Sequence, residues 1–356
     1  MADVLVLVGT RKGLFILESD EARRDWALRG PYCEGWPIFH AIYDRDSDTI
    51  LAAAASDWHG TAIWRSSDRG KTWDHSSEGL AYPEDGLKLT KASNLRKVDG
   101  TLYAGVHLPG IFKSEDNGVT WSYFSGVDYE PARKVFTQPD VSPPGDLGVI
   151  DLWNHPSEPQ RMIANVQGFG LFMTPDGGTT WEPRNQGFRA DWPQDDPAWG
   201  YCIHKVVTSP VDAERLYTQT HVGMYRSADW GGTWEEITAG LPSEFGFPAV
   251  AHPHERDTLF LIPVDPDHAR STPGRLVVYR SKDAGDTWEE LTNGLPQEDA
   301  YLGVLREGAS ADTLEVPGIY FGTTTGQVFA SPDAGESWSE VASHLPGIAS
   351  VESYAL

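Results

Sequence analysis

The chain has 356 residues and a formal net charge of −24, from 52 acidic against 28 basic side chains. A surface this acidic repels phosphate backbones and anionic headgroups, which excludes nucleic acid and membranes as partners and leaves a small polar ligand or a protein. Two cysteines, Cys33 and Cys202, fit neither a disulfide framework nor a zinc motif; no apolar run approaches the roughly 20 residues that span a bilayer, and MADVLVLVGTRKG lacks a leader's basic start and cleavage site, so a cytoplasmic protein is expected.

The first segment, VLVLVGTRKGLFI (Val4–Ile16), reads as strand, short loop, strand. Behind it, Ser19, Glu21, Arg23 and Trp26 occupy the Ser, Asp, Gly and Trp positions of a decayed octapeptide. The intact form then recurs six times: SSDRGKTW (Ser66–Trp73), SEDNGVTW (Ser114–Trp121), TPDGGTTW (Thr174–Trp181), SADWGGTW (Ser227–Trp234), SKDAGDTW (Ser281–Trp288) and SPDAGESW (Ser331–Trp338). Its aspartates, Asp68, Asp116, Asp176, Asp229, Asp283 and Asp333, are 48, 60, 53, 54 and 50 residues apart. Steps of that size are the spacing of repeated small sheets.

The octapeptide has a physical reading. A short strand such as GIFKS or GMYRS precedes it. The Asp and Ser/Thr side chains can cap backbone N–H groups in a tight turn, Gly supplies a backbone conformation closed to other residues, and Trp leads the next strand and buries its ring between sheets. Each box is therefore a hairpin turn between the two outer strands of a sheet, and the box aspartates are structural. Upstream of the boxes lie LYAGVHLPGIF, MIANVQGFGLF, LYTQTHVGMY and IYFGTTTGQVF, each again strand, loop, strand. The decayed unit lacks an innermost strand, and IASVESYAL at the other end resembles the missing one. The expected fold is all-β: one domain over 1–356, a single seven-bladed β-propeller of four-stranded antiparallel blades, its ring closed by pairing of the N- and C-terminal strands so that no sheet edge is left bare. The blades are expected at about 1–30 with 347–356, then 36–80, 86–126, 146–186, 199–241, 246–295 and 300–346.

These repeats resemble the Asp-box (BNR) repeats of sialidases, sortilin-type receptors, xyloglucan-cleaving glycosidases and the photosystem II assembly-factor family, over nearly the whole chain. The resemblance implies the propeller and either a glycoside-hydrolase-like or an assembly-factor-like role. In enzymes of the group the boxes lie on the periphery, away from the active site. Sialidase activity is not implied: the chain has no aromatic-Arg-Ile-Pro motif, seven blades are expected where sialidases have six, and Glu352 with Tyr354 is the sole imitation of their Tyr/Glu pair.

In a propeller a ligand site is expected where the central channel opens. The loops inside the strand–loop–strand pieces align Arg11, Ser56, His107, Gln167, His221, Asp265 and Thr324, all polar. Solvated loop residues explain that pattern; so does a ring in which His107, His221, Gln167 and Asp265 hold a divalent metal, although the sequence requires no cofactor. The inner strands contribute His40, Lys91, Asp151, His204, Lys205 and Glu352, with Tyr201 and Tyr354 nearby. Here Asp151, Glu352, His204 and Tyr354 are the catalytic candidates, as acids, bases or nucleophile, while His40, Lys91, Lys205, Arg11 and Tyr201 bind substrate; a water-filled channel explains the same charges. Trp36, Trp58 and Trp192 fall in loops and suit sugar stacking or loop anchoring, and Arg133 sits in one of two long loops, about 126–146 and 186–200. Three functions stay open: a glycosidase-like or lyase-like hydrolase of a small polar or carbohydrate-like substrate, a protein-interaction scaffold, and a non-catalytic ligand or metal binder.

Overall fold

A computed structural model describes residues 3–83, 88–125, 127, 147–191, 200–265 and 271–356. Among them the regular structure is β-strand apart from one short 3-10 turn, Cys33–Gly35. The strands, in chain order, are β1 (Val4–Thr10), β2 (Gly13–Ser19) and β3 (Ala27–Tyr32); β4 (Ile38–Asp44), β5 (Thr49–Ser56), β6 (Gly60–Ser66) and β7 (Asp74–Ser76); β8 (Lys91–Val98), β9 (Thr101–His107), β10 (Gly110–Ser114) and β11 (Ser122–Ser125); and β12 (Val149–Asn154), β13 (Met162–Val166), β14 (Gly170–Thr174) and β15 (Glu182–Pro183). There follow β16 (Ile203–Ser209), β17 (Asp212–Thr220), β18 (Gly223–Ser227) and β19 (Glu235–Glu236); β20 (Gly246–Ala251), β21 (Leu259–Pro263), β22 (Val278–Ser281) and β23 (Glu289–Leu291); β24 (Val304–Ala311), β25 (Ile319–Thr323), β26 (Val328–Ser331) and β27 (Ser339–Ala342); and finally β28 (Ile348–Ala355).

Five four-stranded sheets run in simple chain order, β4–β7, β8–β11, β12–β15, β16–β19 and β20–β23. The sixth has eight strands in the order β27-β26-β25-β24-β28-β1-β2-β3. It consists of two antiparallel groups of four, joined only by a parallel bridge between Glu307 and Ser350. β28 pairs antiparallel with β1 from Val4↔Ala355 to Thr10↔Ile348. The orphan C-terminal strand therefore does complete the N-terminal group, as its sequence suggested.

The chain divides into two compact units: Met1–Ile38 with Gln186–Arg189 and His204–Leu356, and Phe39–Asn185 with Ala190–Ile203. In the first, Val4, Val6, Val8, Leu17, Tyr320, Val328 and Val351 form one core and Phe260, Val278, Phe321, Phe329 and Trp338 another. In the second, Leu51, Ala53, Ile63, Leu95, Leu102 and Phe112 pack as a third. Strands with both faces covered read as continuous apolar runs, which is why VLVLVGT is buried along its whole length and the alanine-rich TILAAAAS is a strand despite its low intrinsic β preference.

All six intact boxes repeat one hydrogen-bond set. The Ser/Thr Oγ accepts from the Gly N–H at 2.7–2.9 Å and donates to the Asp Oδ1 at 2.7–2.9 Å. Four residues after the Asp, a Thr or Ser gives its backbone N–H to Oδ1 at 2.8–2.9 Å and its hydroxyl to Oδ2 at 2.5–2.9 Å. The residue before the box glycine is also left-handed, for example Arg69 at φ 57° and Ala334 at 55°. The turn thus takes two consecutive left-handed residues, of which the glycine bears no strain, and the aspartate cap holds them.

The decayed box keeps part of this geometry. Trp26 Nε1 donates to the Arg23 carbonyl at 3.1 Å, as Trp73 Nε1 does to Gly70. The capping carboxylate is Asp20 rather than Glu21: Asp20 Oδ1 accepts from the Arg23 N–H at 3.2 Å, while Glu21 is exposed. Arg23 stands in the glycine position at φ 54°, its guanidinium buried in a bidentate pair with Asp312 at 2.7 and 2.9 Å. Tyr320 donates to the same carboxylate at 2.7 Å.

A second recurring element follows the boxes. In SEGL, NQGF and TNGL the residue before glycine gives its carbonyl to the backbone N–H of the next box tryptophan: Glu78 to Trp121, Gln186 to Trp234 and Asn293 to Trp338, each at 2.9 Å. A β-carbon on Gly79, Gly187 or Gly294 would lie 2.0 Å or less from that tryptophan's carbonyl oxygen. Glycine is required there both for its positive φ and for the close approach. Gly294→Ala, with φ 89° and a β-carbon 2.0 Å from Trp338 O, is expected to lower stability by more than about 1 kcal/mol in urea unfolding.

The boxes also set an acid limit. The Thr72 hydroxyl and N–H hold the Asp68 carboxyl down at about 2, and in Asp116 burial works the other way but Thr120 and Ser114 still bring it to about 2. The unfolded carboxylates titrate near about 3.9. Because the folded values lie below the unfolded ones, the boxes contribute fully above about pH 5 and lose that contribution as the pH falls toward about 2. Thermal melts are expected to show a steep fall in Tm across that window and a flat response above it.

Candidate functional site

Three charged groups of the first unit come together on β16, β24 and β28. β16 carries Lys205, whose Nζ lies 2.6 Å from Glu307 Oε2 on β24; both side chains are buried. Glu352, on β28, is half-buried, and its carboxylate oxygen lies within 4.8 Å of that of Glu307. The parallel bridge Glu307↔Ser350 is what brings β24 and β28 side by side and puts two carboxylates together. Two like charges this close repel, and the buried ammonium of Lys205 offsets part of that repulsion. Tyr354 follows two residues along β28, half-buried and opposite Leu5 on β1. Arrangements of this kind can hold a proton between carboxyls, bind a hydroxylated ligand, or divide the roles of acid and base.

Replacing Lys205 leaves Glu307 buried without its cation. Lys205→Met is expected to cost about 3–5 kcal/mol in urea unfolding, and Lys205→Met with Glu307→Met to recover most of it.

Also in this unit, His204 on β16 is buried and His221 in the β17–β18 turn is half-buried, with ring centroids 4.8 Å apart at 84°. His204 Nδ1 bonds the Gly246 carbonyl at 2.5 Å, and Phe245 and Phe247 pack against its ring. Arg11 and Thr324 are exposed turn residues, and Asp265 is half-buried beside Ser271. Trp36 is buried next to the Cys33–Gly35 turn, so its ring anchors the chain and is not offered to a sugar.

In the second unit His40 is buried, and its Nδ1 accepts the Leu95 N–H at 3.1 Å. His107 is buried with Nε2 3.1 Å from Ser93 Oγ, and Asp151 is buried with Oδ1 accepting the Leu152 N–H at 3.1 Å. Lys91 Nζ sits 5.1 Å over the ring of Phe39. Tyr201 is half-buried and bridges Gly168 and Phe169, and Gln167 is half-buried. Trp58, in the β5–β6 turn, is 92% exposed. Trp192 and Arg133 lie outside the described residues. Both cysteines are free thiols, and burial pushes Cys33 well above the ordinary thiol range.

The seven aligned loop positions all fall at the turn after the second strand of a four-stranded group. Glu307 and Ser93 were missed by sequence reasoning. Glu307 had a usable signal, a carboxylate in the first strand of the last intact repeat, VLREGASA, in register with the inner strands already compared.

Residues 63–76 match the BNR-Asp box repeat family. The match covers the Ser66–Trp73 box, and the other five intact boxes share its hydrogen bonds. Among curated proteins it is 24% identical over 283 residues to a probable oligoxyloglucan-reducing end-specific xyloglucanase of Neosartorya fischeri, a match covering 74% of this chain and 29% of that protein. The chain thus spans under a third of that relative. Among solved structures, an ancestral GH74 enzyme matches with a TM-score of 0.56 and 14% identity over 86% of this chain and 38% of the other. The GH74 enzyme of Niastella koreensis matches with 0.54 and 14% over 96% and 65%. YCF48 bound to a D1 peptide matches with 0.51 and 13% over 86% and 82%. At these identities the likeness is one of fold, the β-propeller built from four-stranded antiparallel sheets. No helix among the described residues is long and apolar enough to cross a membrane.

Proposed function

We propose that the chain is one domain, a single propeller of seven blades, and that it acts on a small polar or sugar-derived substrate with Glu307 and Glu352 as its carboxyl pair. Two things support seven blades: the eight-stranded sheet parts into two antiparallel groups of four at its single parallel bridge, and β28 supplies the strand that the N-terminal group lacks. The observation that carries the functional reading is the carboxylate pair within 4.8 Å, one member buried against a lysine and the other half-exposed. Retaining glycosidases set their two carboxyls about 5–5.5 Å apart. Glu307, paired with Lys205, attacks the anomeric carbon while Glu352 protonates the departing glycosidic oxygen. Water, deprotonated by Glu352, then displaces Glu307 and restores both groups. The xyloglucanase relative makes oligoxyloglucans a first substrate class to try. Two free thiols support a reducing, cytoplasmic location.

Release of reducing sugar from a panel of xyloglucan oligosaccharides and aryl glycosides tests the reading. Turnover by the unaltered chain is expected, reduced about 10²- to 10⁴-fold by Glu352→Gln and by Glu307→Gln. No turnover on the panel, or turnover that both variants retain, overturns it.

A scaffold for a protein partner is the second reading. It is favoured by Trp58, a large ring left bare at 92% exposure, and by the shared fold of YCF48 bound to a D1 peptide. On that reading Trp58→Ala abolishes partner capture while Glu352→Gln leaves it intact.

A further inference from the structure

We propose that His204 and His221 form a binding site for a divalent transition-metal ion, independent of the carboxylate pair. The backbone sets up the first ligand. A carbonyl oxygen can only accept, so the 2.5 Å contact between His204 Nδ1 and Gly246 O puts the ring proton on Nδ1 and makes Nε2 the lone-pair nitrogen. That is the arrangement found behind metal-binding histidines, where a backbone carbonyl fixes the tautomer and raises the basicity of the opposite nitrogen. The ring is held in place: it stacks on Phe247 at 4.6 Å and 27°, and meets Phe245 edge-on at 5.2 Å and 77°.

The second ligand is adjustable. His221 sits in the β17–β18 turn, half-buried, its ring tilted against Phe245 at 5.0 Å. The ligand nitrogens of the two histidines lie within 4.8 Å of each other. Nitrogens that each stand about 2.1 Å from one ion are separated by about 3–4 Å, which His221 reaches by turning its side chain. One buried ligand and one half-buried ligand on a turn leave further positions of the ion for water or a substrate donor. Imidazole pairs select zinc, nickel, cobalt or copper and reject magnesium and calcium. The phenylalanine rings supply no oxygen ligand that would favour the harder ions. Packing of aromatic rings alone accounts for the contacts, but not for a buried imidazole whose proton is fixed on one nitrogen with a second histidine ring 4.8 Å away.

The test is metal titration of the full chain after treatment with EDTA and dialysis, with Co(II), Ni(II) and Zn(II) by calorimetry and the Co(II) absorption spectrum as a readout of ligation. One ion per chain is expected, with no binding of Mg(II) or Ca(II). His221→Ala and His204→Gln, which retains a donor for Gly246 O, are each expected to weaken binding at least tenfold; His254→Ala, whose ring bonds the Leu314 carbonyl, is expected to leave it unchanged. Should His204→Gln fail to fold, the half-exposed His221→Ala decides alone. Absence of binding, or binding that His221→Ala leaves intact, overturns the proposal. Glu307→Gln and Glu352→Gln are expected to bind the ion as the unaltered chain does, so a failed carboxylate reading and a failed metal site are told apart.

Discussion

The carboxylate of each box aspartate carries the hydrogen bonding of a turn that would otherwise be left strained. Two consecutive left-handed residues bring an outer strand round to its neighbour, and they are held by four bonds, three of them to the aspartate carboxylate. The same turn delivers a tryptophan whose backbone N–H meets the carbonyl before the glycine of the preceding repeat. Local turn and sheet-to-sheet contact are thus fixed by one segment, and a glycine without a side chain is the condition for the second. Trp230 shows the reach of the constraint: it stands in a left-handed position, φ 52°, and is fully buried.

Where the pattern decays, charge replaces it. Arg23 occupies a glycine position and would be strained there without compensation. Its guanidinium instead binds Asp312 through two bonds, with the Val316 and Pro332 carbonyls as further acceptors. A buried pair of this kind contributes little net stability but is costly to break, so it acts as a specific latch between the first box and the repeat of β24–β27.

The repeat architecture was legible because its signal is local and sixfold: spacing, turn chemistry and tryptophan all sit within eight residues. The pairing of β28 with β1 was legible for the related reason that one group lacked a strand and another strand lacked a group. The glycines after three of the boxes, Gly79, Gly187 and Gly294, escaped notice because their role appears only when the next repeat is folded against them. Site residues were harder to read. Glu352 and Lys205 were singled out as charged residues on inner strands, but their relation depends on Glu307, and that depends on one parallel bridge between strands some forty residues apart, which no periodicity encodes. His40 Nδ1 also closes a backbone bond to Leu95, which the comparison of inner strands does not show. An alignment of positions identifies which residues lie on equivalent strands, not which nitrogen already has a partner. His204 and His221 were assigned different roles because they come from different strands of one repeat; the turn after β17 folds them toward each other.

The union of β1 and β28 has a consequence for biosynthesis. Val4–Thr10 is synthesised well before Ile348–Ala355, the strand that covers its outer edge. Every intervening repeat can form its own hairpins as it emerges, but this group cannot be finished until that distant strand arrives. Until that strand is made, the nascent chain therefore carries an uncovered, largely apolar strand, VLVLVGT, open to pairing with another chain. Chaperone demand should accordingly concentrate on this one strand, and a nascent chain stalled short of Ile348 should be prone to aggregate however well its other repeats have folded.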